Sequence, residues 1–332
     1  MIRLAINGFG RIGRAVFKVA YENPEIEIVA VNDLVDAKTL AALLKYDTVY
    51  GPYRHEVASD GQTMTVGGKT IKVYSQKDPL QLPWAADKID VVIESTGVFT
   101  SEEGAGEHIK AGAKKVILSA PAKEGNVPTI LMGVNDKDYS GQVNISNASC
   151  TTNCIAPVVA IIHSALGVKK AMMTTIHAYT SDQRLHDSPH KDMRRARAAA
   201  SNIIPTTTGA TLAAAEAVPA LKGKFEGLAI RVPVICGSLS DIVMQVEKST
   251  TAEQVNQIIG EAIKNPLYKN IVRATSDPIV SSDIIGDPHS AIVDLPLTKV
   301  VDGDLVKVIA WYDNEWGYSN RMVETALMVG KE

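Results

Sequence analysis

Ile2-Arg3-Leu4-Ala5-Ile6-Asn7-Gly8-Phe9-Gly10-Arg11-Ile12-Gly13-Arg14 decides the fold. Ile2 to Asn7 reads as a strand, and a Gly-x-Gly-x-x-Gly follows it at the opening of a helical stretch, Arg11 to Glu22. In that setting each glycine has its own task. Gly8 permits the tight turn, Gly10 lets the backbone approach a pyrophosphate, and Gly13 allows close helix–strand packing. The helix N-terminus then faces the anion. The six-residue pattern alone is weak, because other glycine-rich strand–helix turns produce it. Here a second strand follows, Ile26-Glu27-Ile28-Val29-Ala30-Val31, and Asp33 stands where a ribose-binding acid belongs. Its carboxylate suits the 2′-hydroxyl of NAD and repels the 2′-phosphate of NADP.

Moving outward, Val91-Val92-Ile93, Val116-Ile117-Leu118 and Val143-Asn144-Ile145 are further apolar runs separated by helical stretches. Such alternation predicts βαβ units and a mostly parallel sheet. Glu94-Ser95-Thr96-Gly97 and Ser119-Ala120-Pro121 follow two of these runs. Ligands of open α/β sheets bind at strand C-termini, which makes Thr96 and Ser119 candidate cofactor contacts. The second half carries longer runs at 172–176, 228–232, 241–246 and 305–311, spaced for a mixed or antiparallel sheet. A tail from Ser319 to Val329 has helical spacing and is expected to pack back on the first domain. The expected fold is α/β: a Rossmann-type parallel-sheet domain plus an α+β catalytic domain with a mixed or antiparallel sheet. The boundaries are residues 1–149, completed by a C-terminal helix at about 315–332, and 150–314.

Bulk properties narrow the function. The 332 residues suit two domains, and 45% hydrophobic with 21% charged content fits a protein with a sizeable core. A net charge of −3 gives no reason to expect nucleic acid or an anionic membrane as partner. No apolar run approaches a membrane span, and the opening residues lack a signal-peptide pattern. Three cysteines form no disulfide framework and fit a reducing compartment, so the expected location is cytoplasmic. No His/Cys/Asp/Glu cluster has metal-site spacing, and no metal is expected.

Ser149-Cys150-Thr151-Thr152-Asn153-Cys154 precedes an apolar segment of helical spacing that ends at Gly167. Cys150 is therefore placed near a helix N-terminus. An unperturbed thiol is only a few per cent thiolate at pH 7. A helix N-terminus and a neighbouring imidazolium lower its pKa, and the thiolate is then expected to dominate. Pro157 should leave the Asn153 carbonyl without its intrahelical partner, which predicts a local bend or a substitute donor. Cys154 and Cys236 read as small buried hydrophobes. The polar surround of Cys150 argues instead for a nucleophile. His177, closing the run 172–176, is the best-placed base, whereas His163 and His55 have no comparable setting.

Gln183 to Arg197 carries Arg184, Lys191, Arg194, Arg195 and Arg197 against Asp187 and Asp192. Thr206-Thr207-Thr208-Gly209 offers hydroxyls and a backbone N–H to an anion, and Arg231 interrupts an apolar strand. Pattern alone does not separate an anion site here from a solvated loop or a subunit contact.

With the fingerprint, the Cys motif, the His and the anion groups in this order, the whole chain resembles phosphorylating glyceraldehyde-3-phosphate dehydrogenase of the NAD-dependent bacterial type. The resemblance rests on 7–14, on 149–154, and on Trp311-Tyr312-Asp313-Asn314-Glu315-Trp316-Gly317-Tyr318-Ser319-Asn320. It implies that Cys150 attacks glyceraldehyde 3-phosphate and that His177 takes the proton. Hydride loss to NAD would leave an acyl thioester for inorganic phosphate to attack, giving 1,3-bisphosphoglycerate. It implies Thr180, Asp182 and Arg231 for the substrate's phosphate, and Ser149, Thr151, Arg195, Thr208 and Gly209 for the attacking one. For the cofactor it implies Arg11, Ile12 and Lys77 beside Gly8, Gly10, Gly13, Asp33, Thr96 and Ser119. Asn314 would bond the nicotinamide carboxamide, with Tyr318 near that ring. Leu34 and Pro189 resemble the NAD-restricted branch. An S-shaped loop at about 178–202 and a homotetramer are implied as well. The chain departs from the family pattern at Thr211-Leu212 and at Val234-Ile235-Cys236-Gly237, where assembly rather than catalysis is expected to change. Rival readings are an erythrose-4-phosphate dehydrogenase, a semialdehyde dehydrogenase and a nucleotide-binding protein without turnover.

Overall fold

The computed structural model describes residues 1–331, and its contacts divide the chain into two compact units.

The first unit comprises Met1–Ile130, Lys137–Ala148 and the residues from Ser319 on. Its strands are β1 (Ile2–Asn7), β2 (Ile26–Asn32), β3 (Val57–Ser59), β4 (Thr63–Val66), β5 (Lys69–Tyr74), β6 (Val91–Glu94), β7 (Lys115–Leu118) and β8 (Asn144–Ser146). The helices are α1 (Arg11–Tyr21), α2 (Ala37–Lys45) and α3 (Glu102–Lys110). The sheet order is β3-β4-β5-β2-β1-β6-β7-β8, parallel from β5 to β8. β1 lies between β2 and β6, which is why it reads as an almost unbroken apolar run rather than an alternating one. Trp84, fully buried, packs among Ala5, Val92, Val116 and Leu118 in the core.

Sequence reading did not foresee the antiparallel edge β3-β4-β5. These strands are short and half exposed, and only the Gly67-Gly68 turn between β4 and β5 marks them.

The second unit comprises Leu131–Asp136 and Ser149–Tyr318. It contains α4 (Cys150–Leu166), β9 (Val168–Ala178), β10 (Ile204–Thr207), α5 (Ala210–Ala217), β11 (Phe225–Val232), β12 (Ser238–Val246), α6 (Ala252–Ala262), β13 (Val272–Thr275), β14 (Ala291–Asp294), β15 (Lys299–Val301) and β16 (Leu305–Tyr312). Its sheet order is β10-β11-β9-β12-β16-β14-β13, with β15 pairing β16. Pairing is mixed, with β11 parallel to β9 and β12 antiparallel to both β9 and β16. α4 is buried on most of its circumference, as expected of a helix apolar all round. It continues through Pro157 and ends at Gly167.

A last helix, α7 (Trp316–Val329), begins in the second unit's residues and from Ser319 belongs to the first. There Asn147 Nδ2 donates to Thr325 Oγ1 at 3.1 Å, and Gly330 lies so close to Ile2 that a Cβ would sit 2.8 Å from its Cδ1. Among the described residues no helix is long and apolar enough to cross a membrane. Among them, too, no group of three or more His, Cys, Asp or Glu is arranged to hold a metal.

Candidate active site

In the first unit the C-terminal ends of β1, β2 and β6 border a cleft of about 700 Å³, lined by Gly8, Gly10, Asp33, Leu34, Lys77 and Thr96 among others. Gly8 adopts φ +90°, and a Cβ on it would meet the Thr96 nitrogen at 2.7 Å. A Cβ on Gly13 would stand 2.1 Å from the Gly8 carbonyl oxygen. Gly10 differs: a Cβ there meets nothing within 4 Å and would project into open space above the α1 N-terminus. That combination is a cradle for a phosphate-bearing group, with the leading N–H groups of α1 left without intrahelical acceptors. The chain's own residues therefore fit a dinucleotide.

Asp33 Oδ2 accepts the Phe9 N–H at 2.8 Å and Oδ1 the Val35 N–H at 3.1 Å, which fixes the carboxylate at the cleft. The Arg11 side chain turns to Asp47 at 2.9 Å, so Arg11 and Ile12 face the anion site with backbone N–H groups as the first helical residues. Ser119 follows β7, and its N–H donates to the Glu94 carbonyl at 2.9 Å. It is not part of the cleft wall.

Sequence reading missed what lies beneath the glycine loop. Glu94 Oε2 accepts Asn7 Nδ2 at 2.5 Å and faces His108 Nε2 at 3.1 Å. Its Oε1 takes the Thr96 N–H at 2.8 Å and also the Thr96 hydroxyl. Trp84 Nε1 donates to His108 Nδ1 at 3.0 Å, and Asn32 Nδ2 donates to Asn7 Oδ1 at 2.7 Å. Tryptophan only donates, so the His108 proton sits on Nε2 and points at Glu94. This buried network ties the ends of β1, β2 and β6 together. The only trace of it in the sequence is that each of those strands ends in a polar residue.

In the second unit Ser149 caps α4, its Oγ accepting the Thr152 N–H at 3.1 Å. Cys150 is the first helical residue, and its Sγ lies 3.5 Å from His177 Nε2. His177, near the end of β9, is buried and places Nδ1 2.6 Å from the Ala178 carbonyl oxygen. A carbonyl accepts only, so Nδ1 carries the proton and Nε2 offers its lone pair to the thiol.

Burial works against the expected thiolate–imidazolium pair. Burial and then the Arg231 guanidinium push the His177 imidazole down to about 3, against the pull of the Ala178 carbonyl. Burial also pushes the Cys150 thiol up, against Arg231 and the hydrogen bonds at the start of α4. Burial thus favours the neutral form of each group, while the neighbouring cation acts oppositely on the two, disfavouring the imidazolium and favouring the thiolate.

Arg231 stands opposite His177 in the β11–β9 register. Its Nη1 reaches Thr180 Oγ1 at 2.8 Å and the Ala178 carbonyl at 3.3 Å. The Thr180 hydroxyl donates to Asp182 Oδ1, and Asp182 Oδ2 accepts Arg195 Nη1 at 2.5 Å. Asp182 thus holds Arg195 directly and reaches Arg231 through the Thr180 hydroxyl. Burial alone would raise its carboxyl, but the Thr180 hydroxyl, Arg231 and Arg195 hold it below the usual carboxylate range. Arg195 Nε also donates to Thr206 Oγ1 at 2.9 Å, the first of the threonines whose hydroxyls the sequence offered to an anion. Thr208 Oγ1 accepts the Ala210 N–H at 3.2 Å, and Gly209 is the N-cap of α5. Thr151 turns its hydroxyl inward to Tyr312 at 2.9 Å, leaving its backbone N–H as what it offers at the α4 start.

Asn314 follows β16, with Oδ1 accepting the Gly237 N–H at 3.1 Å and the Ser238 hydroxyl at 3.0 Å. Tyr318 is buried in the first turn of α7, and burial raises its phenol well above the ordinary value. Cys154 and Cys236 are buried, as their sequence setting suggested, with Cys236 directed at Asp313. Of the two departures from the family pattern, Thr211 is buried and Leu212 exposed. The other departure, expected to concern assembly, ends at Gly237 and so touches Asn314 directly.

Residues 149–314 match the family model described as glyceraldehyde 3-phosphate dehydrogenase, C-terminal domain. Residues 2–102 match the one described as glyceraldehyde 3-phosphate dehydrogenase, NAD binding domain. The chain is 52% identical over 334 residues to glyceraldehyde-3-phosphate dehydrogenase 2 of Streptomyces avermitilis, covering 100% of this chain and 99% of that protein. It is 51% identical over 333 residues to glyceraldehyde-3-phosphate dehydrogenase 1 of Bacillus subtilis, again with 100% and 99% covered.

Proposed function

The chain belongs to the glyceraldehyde-3-phosphate dehydrogenase family, and from that premise we propose how its residues divide the work. The activity is NAD-dependent oxidation of glyceraldehyde 3-phosphate with inorganic phosphate, yielding 1,3-bisphosphoglycerate and NADH. The observation that carries the assignment of roles is Cys150 Sγ at 3.5 Å from an imidazole nitrogen whose partner nitrogen is pinned to the Ala178 carbonyl.

Cys150 Sγ attacks the aldehyde carbon while its proton passes to His177 Nε2 and on to the carbonyl oxygen, forming a thiohemiacetal with a hydroxyl group. A neutral imidazole with its lone pair toward the thiol is the state required of a general base. NAD, when bound, supplies the acceptor for the hydride. Loss of that hydride, with the hydroxyl proton passing to His177 Nε2, converts the thiohemiacetal to a thioester. Inorganic phosphate then attacks the thioester carbonyl, and the Cys150 thiolate leaves and recovers its proton from His177. Thr180, Asp182 and Arg231 hold the substrate's phosphate, with Asp182 acting by orienting Arg231 and Arg195 rather than as an anion ligand. Ser149, Thr151, Arg195, Thr208 and Gly209 serve the attacking phosphate. Gly8, Gly10, Arg11, Ile12 and Gly13 take the pyrophosphate, and Asp33 takes the ribose. Lys77, Thr96 and Ser119 flank the cofactor, while Asn314 and Tyr318 meet its nicotinamide.

In domain terms, residues 1–149 with the helix at about 315–332 serve NAD, and 150–314, with the loop at about 178–202, serve catalysis. The enzyme is a cytoplasmic homotetramer in this reading. Exposed Leu185, Met193 and Ile203 support apolar subunit contacts, and three free cysteines support a reducing compartment.

The test is NAD reduction with glyceraldehyde 3-phosphate, with and without phosphate, repeated with NADP and with erythrose 4-phosphate. Phosphate-dependent NADH formation is expected. Turnover that is indifferent to phosphate would overturn the choice of acceptor.

A further inference from the structure

β12 runs between β9, which ends in His177 and Ala178, and β16, which leads into Asn314. At the first residue of β12 a single buried hydroxyl touches both neighbours. Ser238 Oγ accepts the Ala178 N–H at 3.1 Å and lies 3.0 Å from Asn314 Oδ1. An amide N–H has no lone pair to offer, so the one hydroxyl proton goes to the Asn314 oxygen. The Gly237 N–H donates to that same oxygen at 3.1 Å.

Two donors on one face decide the orientation of the side-chain amide. Turning it over would set its NH₂ against the Gly237 N–H, leaving buried groups without acceptors. The oxygen is therefore committed to the protein, and Nδ2 is the end left to meet a ligand's acceptor. Only glycine fits at that residue, since its φ is +93° and a Cβ would stand 2.3 Å from the Ser281 carbonyl oxygen.

We propose that Gly237 and Ser238 form a clamp that positions the Asn314 amide for the carbonyl of the nicotinamide carboxamide and registers it against the end of β9 beside His177. The clamp rests on the reading of Asn314 given above. Ser238 is a positioning residue, since it acts through Asn314 and Ala178. It also gives the departure at 234–237 a role in cofactor affinity rather than in assembly alone.

The test is a double-mutant cycle on the intact enzyme, with NAD affinity read by fluorescence titration. Asn314→Ala and Ser238→Ala should each weaken NAD binding about tenfold, the size of one well-made hydrogen bond. The double variant should be no weaker than Asn314→Ala alone. Ser238→Cys preserves volume with a poorer donor and should fall between wild type and Ser238→Ala, which keeps the test open should Ser238→Ala not fold. Losses that multiply in the double variant would overturn the clamp while leaving Asn314 as a cofactor contact. Ser238→Cys binding NAD as wild type would also count against it. Wild-type affinity in Asn314→Ala would instead remove the reading of Asn314 on which the clamp stands.

Discussion

Gly10 and Gly13 lie in one hexapeptide, yet adding a methyl group should do opposite things to them. At Gly10 the backbone has φ −70°, open to any residue, and a Cβ meets no atom within 4 Å. Replacing glycine by alanine at a helix N-cap costs at most about 1 kcal/mol, so Gly10→Ala should fold with near-normal stability. The methyl group would nevertheless occupy the space through which a pyrophosphate reaches the α1 N–H groups. Losing one or two charge-assisted hydrogen bonds, about 1.5–3 kcal/mol each, weakens NAD binding at least about tenfold, and beyond about 100-fold if both are lost. Gly13→Ala puts its Cβ 2.1 Å from the Gly8 carbonyl oxygen and 3.2 Å from Ile6 Cγ2, where the backbone itself must yield. Overpacking of that kind costs about 1–3 kcal/mol and also displaces the turn at Gly8. Urea unfolding without cofactor and NAD titration of both variants separate the two effects. Gly10→Ala binding NAD within about threefold of wild type would refute the assignment of that open space to the pyrophosphate.

Further outcomes follow from the second unit and from Asp47. Cys150→Ser should abolish turnover while retaining NAD binding, measured by steady-state assay and titration; residual turnover near wild type would sink the covalent mechanism. His177→Asn should slow acylation about 10²–10⁴-fold in single-turnover experiments and move thiol alkylation to higher pH, because Nε2 no longer receives the proton. The buried imidazole titrates at about 3 when folded against an ordinary value of 6.5, so between those pH values the unfolded chain binds the extra proton. Stability should therefore fall as pH drops through that window, by up to about 1.4 kcal/mol per pH unit from this group, and less steeply in His177→Asn under urea titration. Asp47, buried beside Arg11 and Lys18, has its carboxyl lowered to about 2: burial opposes the shift, and the Arg11 hydrogen bond and charge, the Val49 N–H and Lys18 outweigh it. Its contribution is present above the ordinary value of 3.8 and is lost as pH falls toward 2. Asp47→Asn at neutral pH strands the buried Lys18 and should cost about 3–5 kcal/mol in the same unfolding assay.

The parts of the fold legible in the sequence were those with a local signature. β1, α1 and β2 carry the apolar run, glycines and acid that any pyrophosphate-binding turn needs, and α4 begins with a serine cap beside the nucleophile. The hairpin β3-β4-β5 was not legible, because strands of a few half-exposed residues leave little pattern. Nor were Glu94, His108 and Ser238, whose partners lie far along the chain and whose types are common in loops and caps. The forces that oppose the expected thiolate were not legible for a related reason. Residue types predict that imidazole and thiol will meet, but the share of water each loses, and the approach of Arg231, exist only once β9 and β11 pair. Asp182, assigned to a phosphate site by resemblance, accepts Arg195 and the Thr180 hydroxyl, contacts that its residue type alone did not foretell.

The return of α7 to the first unit orders the protein's synthesis. Residues 149–318, which make up most of the other unit, leave the ribosome before Ser319 does, yet Ala148 and Ser319 belong to one compact body. The half that begins first is thus the half finished last. At about 5–20 residues per second, the nascent first unit waits on the order of ten seconds or more for the helix that docks on Asn147 and Ile2. During that interval the first unit already has every strand of its sheet, β1 to β8, and lacks only the closing helix. A truncation after Tyr318 would therefore strike the dinucleotide-binding half, although every residue of its glycine loop lies at the opposite end of the chain.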